Sequence, residues 1–424
     1  MQRVTRGIYA ELASRTSVTA ICWNRLDNCY HLLGEPELTY LLAPFSKYTS
    51  AVGRPDLRGE KLPSELRRCL RRKRLELTPE LKQGKTLLVP DIYFDERTRL
   101  LPDALTESTG RSVAIFHDAA NLRLSLFSLS AAAAFRKYIR SLAAFDHVIC
   151  ISEQSQIELL ELWHQCGIEN PPSTSVEVWP LGFERRDQNL ASSNGATKVI
   201  LCVGSFEPRK NHLSLLQAAE HLWSLGLKFD LRLIGRSTGG SGYKVLYRIR
   251  WLQAKGRRVS WLKHVDDSTL LEAYRKCHFT VYPSLAEGFG LPIMESLSHG
   301  KPCICGSNGA LGEIARGGGC VLIDQASIAE LARAMHLLLT DQEIYNTLSK
   351  RARERRFRCW GEYTTSLLDC LSDEESTREV PNVCSLGSDG PTIASEDLGI
   401  GHAETTQIFS EGTLQKIAKV PRST

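Results

Sequence analysis

The chain has 424 residues, 42% hydrophobic and 24% charged, which is long enough for two domains with separate cores and ordinary for a globular protein. No apolar stretch reaches membrane-span length before charges interrupt it, and the opening Met1 to Gly7 is not followed by a secretory apolar region, so a cytoplasmic protein is expected. The net charge of +5 hides an asymmetry: Ser372 to Thr424 carries nine acidic and four basic residues, leaving about +10 elsewhere, a balance that suits phosphate-bearing ligands or an anionic surface and is too diffuse to argue nucleic acid.

Gln2 to Ser14 repeats Val4, Ile8 and Leu12 at helical spacing, and Ser17 to Trp23 reads as a strand. An α/β domain usually starts with a strand and a Gly-rich turn, and here a helix comes first. Glu35 to Leu81 yields one helix, Pro63 to Glu76, in which Arg67, Arg68, Arg71, Arg72, Lys73 and Arg74 interleave with leucines. A solvated helix face is the favoured reading of that cluster, and peripheral contact with the inner face of a cell membrane is the alternative.

Thr86 to Pro90, Ser112 to His117, His147 to Ser152 and Val176 to Pro180 are short apolar runs separated by helical patterns such as Ala131 to Ala144 and Gln154 to Cys166. Buried strands alternating with helices imply a parallel sheet, which binds ligands at the carboxyl ends of its strands, where His117 and Asp118 fall. A polar stretch at 184–197 reads as a linker. A second α/β series follows, with strands at Val199 to Val203, Leu231 to Gly235, Val259 to Leu262, Phe279 to Pro283, Pro302 to Cys305 and Cys320 to Ile323. Helical patterns between them include His212 to Leu225, Ser268 to Lys276 and Ser327 to Leu339, and a long helical region from Gln342 to Leu371 closes the series. The expected division is therefore 1–183, linker 184–197, 198–371 and a disordered tail at 372–424, the tail being rich in Ser, Thr, Glu and Gly with Phe409 its only aromatic residue. The 13 cysteines are odd in number and mostly sit in apolar patterns, which predicts reduced core residues, and no paired spacing suggests zinc.

Two constellations carry the chemistry. Ser284 to Ser296 packs Glu287, Gly288, Gly290 and Glu295 into a strand-turn-helix, with Pro292 in the tolerated first turn. The free N–H groups of such a helix start suit a diphosphate, and carboxylates accept hydrogen bonds from sugar hydroxyls. A surface Glu287, a solvated Glu295 and purely conformational glycines are the plainer account of the same residues. Gly204 to His212 (Gly-Ser-Phe-Glu-Pro-Arg-Lys-Asn-His) follows the first strand of the second series and places Arg209 and Lys210 near a helix start, either reaching into the cleft or merely exposed beside an Asn211 cap.

The segment Glu287-Gly-Phe-Gly-Leu-Pro to Glu295 closely resembles the Glu-x7-Glu signature of the retaining GT-B glycosyltransferases of family 4, group 1. Glu207-Pro-Arg-Lys-Asn is similar to the signature of their bacterial mannosyltransferase-like members, and Ala114-Ile-Phe-His-Asp and Ile149-Cys-Ile-Ser-Glu resemble first-domain segments. The resemblance covers nearly all of Gln2 to Leu371. It implies a GT-B fold, α/β with two doubly wound Rossmann-like domains facing across a cleft. It also implies transfer of a hexose with retention, most plausibly mannose from GDP-mannose, onto a saccharide or lipid-linked saccharide in cell-surface polysaccharide synthesis.

On the same basis Glu287 contacts the donor sugar and Glu295 the ribose. Gly288, Phe289, Gly290 and Leu291 meet phosphates and sugar through backbone groups, Arg209 and Lys210 stabilise the leaving diphosphate, and His117 contacts the donor from the first domain. Ser205 stands where many members carry an arginine, making Arg209 the natural substitute. No metal or cofactor is expected beyond the donor substrate, and no nucleic-acid partner. Asn308 to Glu313 looks like part of the nucleotide pocket, with a turn and cap as an equal account. The rival reading is a catalytically degenerate nucleotide-sugar-binding or scaffold subunit.

Overall fold

A computed structural model describes residues 2–42, 73–169, 171, 174–183, 197–237, 239–263, 265–372 and 393–394. The amino-terminal helix Gln2–Arg15 leads into a hairpin of β1 (Ile21–Asn24) and β2 (Cys29–Leu32), to which β3 (Arg74–Leu75) adds antiparallel, pairing Tyr30 with Leu75. The expected strand at Ser17 to Trp23 is thus shorter and later. Arg74 and Leu75 correct the expected helix Pro63 to Glu76: Leu75 packs against the first core from a strand, a partner 45 residues back that local spacing does not reveal. Most of that helix, with its basic cluster, lies outside the described residues, as do most of the linker and tail.

The first parallel sheet runs β4 (Leu87–Val89), β5 (Ser112–Phe116), β6 (His147–Cys150), β7 (Ser175–Val178) in simple order. Every residue of β5 is buried, as expected for a strand covered on both faces. Ser128 caps the helix Leu129–Leu142, and Ser152 with Ser155 forms a reciprocal cap on Glu153–Gln165. Tyr93, Phe116, Phe135, Tyr138 and Trp163 fill the core between sheet and helices.

The second sheet contains β8 (Lys198–Val203), β9 (Phe229–Ile234), β10 (Val259–Leu262), β11 (Phe279–Tyr282), β12 (Cys303–Gly306) and β13 (Cys320–Ile323), with β14 (Ile393–Ala394) beside β13. The order is β10-β9-β8-β11-β12-β13-β14, all pairs parallel. The winding direction reverses between β8 and β11. In an open parallel sheet that reversal opens a crevice at the strands' carboxyl ends, and the loops after β8 and β11 meet there.

An apolar cluster ties the two sheets together, joining Val113, Ile115 and Ile149 to Tyr282, Phe289, Ile293 and Leu311. The expected region Gln342 to Leu371 is two helices, Gln342–Glu354 and Trp360–Leu371, the second capped by Cys359 and Glu362. This last helix returns to the first: Tyr363 and Leu367 share a core with Val4, Ile8 and Leu12, and Arg15 Nη1 donates to Thr365 Oγ1 at 2.8 Å. Trp360 fits against Gly7 and Gly182, where an added Cβ would lie 2.3 and 2.6 Å from its ring.

Candidate functional site

After β8 the chain makes one tight turn, Pro208–Lys210, then passes through Asn211 in the left-handed region (φ 54°) into the helix His212–Ser224. Asparagine tolerates that conformation better than most residues. Its side chain is fixed by donating from Nδ2 to the Gln325 carbonyl at 2.8 Å, rather than capping the helix. After β11 the loop Pro283–Gly290 turns at Gly290 (φ 122°) into the helix Leu291–Ser298. The two loops are stitched by the Leu285 N–H donating to the Arg209 carbonyl at 2.7 Å.

Glu287 is the centre of this junction. Its Oε2 accepts from Arg209 Nη1 at 2.6 Å and its Oε1 from Lys210 Nζ at 2.5 Å. Burial by itself would raise its pKa, but Lys210 and Arg209 together outweigh that and hold the carboxyl below its ordinary value. Lys210, also buried, donates to the Tyr282 hydroxyl at 2.6 Å; desolvation draws its pKa down against the pull of Glu287. Arg209 Nε donates to Glu207 at 3.0 Å, and the other oxygen of Glu207 accepts from Ser205 Oγ at 2.5 Å. Ser205 thus supports the carboxylate that orients Arg209. Two cations and two carboxylates, with Glu287 and Lys210 buried and Arg209 and Glu207 partly exposed, form a pre-oriented set beside a helix start, suited to exchanging one carboxylate contact for an incoming polyanion.

The first unit closes over this set. Gly288 lies against the loop after β5, where an added Cβ would stand 2.5 Å from the His117 carbonyl oxygen and 2.7 Å from Asp118 Cβ. His117 donates from Nε2 to the Pro90 carbonyl at 2.8 Å, and burial lowers its pKa to about 4, leaving a neutral ring whose Nδ1 is an acceptor. Burial raises the pKa of Asp118, with the charge of Arg209 opposing it. Glu158 holds the loop by accepting the Ala119 N–H at 2.7 Å and pairing with Arg123 at 3.2 Å.

The other expected site residues are placed differently. Glu295 is held apart from Glu287: its Oε2 accepts from the Tyr274 hydroxyl at 2.6 Å. Phe289 is buried in the cluster between the sheets, so any ligand contact by it falls to its backbone, and Leu291 is partly buried against the same cluster. Asn308 to Glu313 contains a cap, but across the two units: Glu313 accepts the N–H groups of Glu153 and Gln154 at 2.9 and 2.7 Å, and Arg316 pairs with Glu153 at 3.0 Å. Tyr282, Tyr274 and Gln325 join the site beyond the residues the sequence points to, and Asp118, expected only at a strand's carboxyl end, lies against Gly288. Tyr282 ends β11 at the crevice and Asp118 lies two residues past the end of β5, a usable signal, whereas nothing in the sequence links Tyr274 to Glu295. Among the described residues no group of three His, Cys, Asp or Glu side chains is placed to hold a metal ion, and no helix is long and apolar enough to cross a membrane.

Residues 184–355 match the family model described as glycosyl transferases group 1. The chain is similar to the O-antigen chain mannosyltransferase B of Escherichia coli, 30% identical over 194 residues, covering 41% of this chain and 46% of that protein. It is also similar to the serotype-specific mannosyltransferase WbdA of Escherichia coli, 26% identical over 247 residues, covering 53% of this chain and 30% of the relative. In both cases the chain spans less than half the length of the curated relative. Among solved structures, Anabaena Alr3699/HepE in complex with UDP and glucose superposes with a TM-score of 0.55 at 19% identity, covering 68% of this chain and 77% of that one, which establishes the GT-B-type α/β architecture. Residues 184–355 are thus similar to the group 1 glycosyltransferases, and the curated proteins the chain resembles include mannosyltransferases.

Proposed function

We propose that the protein transfers a hexose, mannose from GDP-mannose, with retention of configuration onto a saccharide or lipid-linked saccharide in cell-surface polysaccharide synthesis. The observation that carries this reading is Glu287 held between Arg209 and Lys210 at the strand-order reversal, with the first unit's His117 loop packed on Gly288. As the donor's glycosidic bond breaks, charge builds on the departing phosphate oxygens. In this reading Arg209, Lys210 and the N–H groups at the start of Leu291–Ser298 stabilise that charge, held by Glu287 and Glu207 before the donor arrives. Arg209 Nη2 makes no hydrogen bond among the described residues and is the donor most readily offered to a phosphate.

Glu287, once a diphosphate takes over its cations, is left to accept from sugar hydroxyls. Glu295 on Tyr274 is proposed to hold the ribose. The relatives' mannosyltransferase names support mannose, and the O-antigen chain in the name of one of them supports a saccharide acceptor.

The test is a transfer assay with GDP-mannose, UDP-glucose and GDP-glucose against lipid-linked and soluble saccharide acceptors, following released nucleoside diphosphate and the anomeric configuration of the product. Retained-configuration product from GDP-mannose, lost in Lys210→Ala, is the expected result. Nucleotide binding without transfer to any acceptor would instead leave a nucleotide-sugar-binding subunit.

A further inference from the structure

From Arg236 to Lys263 the chain carries eight basic residues and no acidic one. This stretch is a complete structural unit: the turn after β9, the helix Gly239–Ala254, and β10, which ends the second sheet. The helix buries Val245, Ile249 and Leu252 and turns Tyr243, Tyr247 and Arg250 outward on one stripe at i, i+4 and i+7, with Lys244 beside it. Tyr243 and Tyr247 are each 73% exposed, among the most exposed large hydrophobic side chains of the described residues.

Four of the eight cations are engaged within the fold. Arg248 and Lys255 pair with Glu220, Arg258 with Asp230 at 3.4 Å, and Arg257 donates to the Trp223 carbonyl at 3.1 Å. Arg236, Lys244, Arg250 and Lys263 have no ion pair among the described residues. Basic residues also discourage strand addition along β10, but that role does not call for two exposed tyrosines on the neighbouring helix.

We propose that this edge unit is a docking face for an anionic lipid surface, Tyr243 and Tyr247 seating at headgroup depth while Lys244, Arg250 and flanking cations meet the lipid charges. Amphipathic aromatic rings prefer the membrane interface, and basic residues without acidic neighbours add attraction to anionic headgroups. A single convex helix offers no groove to follow a nucleic-acid strand, which favours the lipid occupant. The unit begins beside the site, where the Phe206 N–H donates to the Arg236 carbonyl at 2.7 Å, but the proposed docking stripe is the helix residues Tyr243, Lys244, Tyr247 and Arg250, and it does not depend on the transferase reading.

The experiment is co-sedimentation of the full chain with vesicles of about one-third phosphatidylglycerol in phosphatidylcholine, against pure phosphatidylcholine and single-stranded oligonucleotide, at low and high salt. Wild type is expected to bind only the anionic vesicles. At roughly fivefold per basic residue, Lys244→Glu with Arg250→Glu should weaken that binding at least about 25-fold, and Tyr243→Ser with Tyr247→Ser should weaken it further while nucleotide binding is unchanged. No binding to anionic vesicles overturns the proposal. So does equal binding by the charge-reversed protein, loss only when Arg67, Arg68, Arg71 and Arg72 are reversed instead, or binding to oligonucleotide as tight as to vesicles and indifferent to the tyrosines.

Discussion

Replacing Gly288 with alanine separates closure of the two units from nucleotide binding. Gly288 does not have a positive φ, so alanine fits its backbone and the whole effect is one methyl group. That methyl would stand 2.5 Å from the His117 carbonyl oxygen, where ordinary contact begins at 3.4 Å, and a backbone oxygen in a loop held by Glu158 cannot swing aside as a flexible side chain would. The loop and the Glu287 junction must therefore separate by about 0.9 Å. A misplacement of about 1 Å in a reacting pair costs about 100-fold in rate, or about 2.7 kcal/mol of barrier. Arg209, Lys210 and the helix start all belong to the second unit and stay in place. Calorimetric titration with the preferred nucleotide should give a Kd within about threefold of wild type while kcat for transfer falls about 100-fold. Full turnover by Gly288→Ala would show that the His117 loop need not close on this site, and a matched loss of nucleotide binding would show that the methyl disturbs the junction itself.

Three further outcomes follow from the same geometry. Glu313→Ala removes two helix-capping bonds that cross between the units and should lower unfolding free energy by about 1–2 kcal/mol in chemical denaturation; an unchanged midpoint would remove its role as a latch. Gly7→Val drives a side chain into the Trp360 ring and should cost about 1–3 kcal/mol as overpacking, with Trp360→Leu in the same chain restoring part of it; an unchanged unfolding midpoint for Gly7→Val would contradict the close fit. The third concerns pH. His117 and His278 have pKa values lowered to about 4 and His212 to about 3, each chiefly by burial, so the folded rings stay neutral while the unfolded ones take protons below about 6.5. Stability therefore falls as pH drops through this window, by about 2 kcal/mol per histidine between pH 7 and 5. Denaturation at the two pH values measures the slope, which His212→Leu should make shallower; among the described residues its ring nitrogens have no hydrogen-bond partner, so little else is lost.

The second sheet was legible almost strand for strand, because parallel strands buried on both faces read as uninterrupted apolar runs: Val259–Leu262 and Cys320–Ile323 match their expected limits. The helices between them carried their start signals, as with Ser327 before Ile328–Thr340. Arg209, Lys210 and Glu287 were legible as candidates, but not that one carboxylate would bind both cations, since a contact across 77 residues is set by which strands lie side by side. The same cause hid the strand at Arg74–Leu75 and the pairing of Glu313 with Glu153–Gln165. Phe289 sits in a glycine-flanked ligand motif, yet its ring serves the core between the sheets.

The most direct measurement is calorimetric titration of the full chain with GDP, UDP and ADP without divalent metal, beside Lys210→Ala and Glu295→Ala. The account predicts micromolar binding of one nucleotide, weakened in both variants, with no added metal required. A folded wild-type chain that binds none of the three would contradict it.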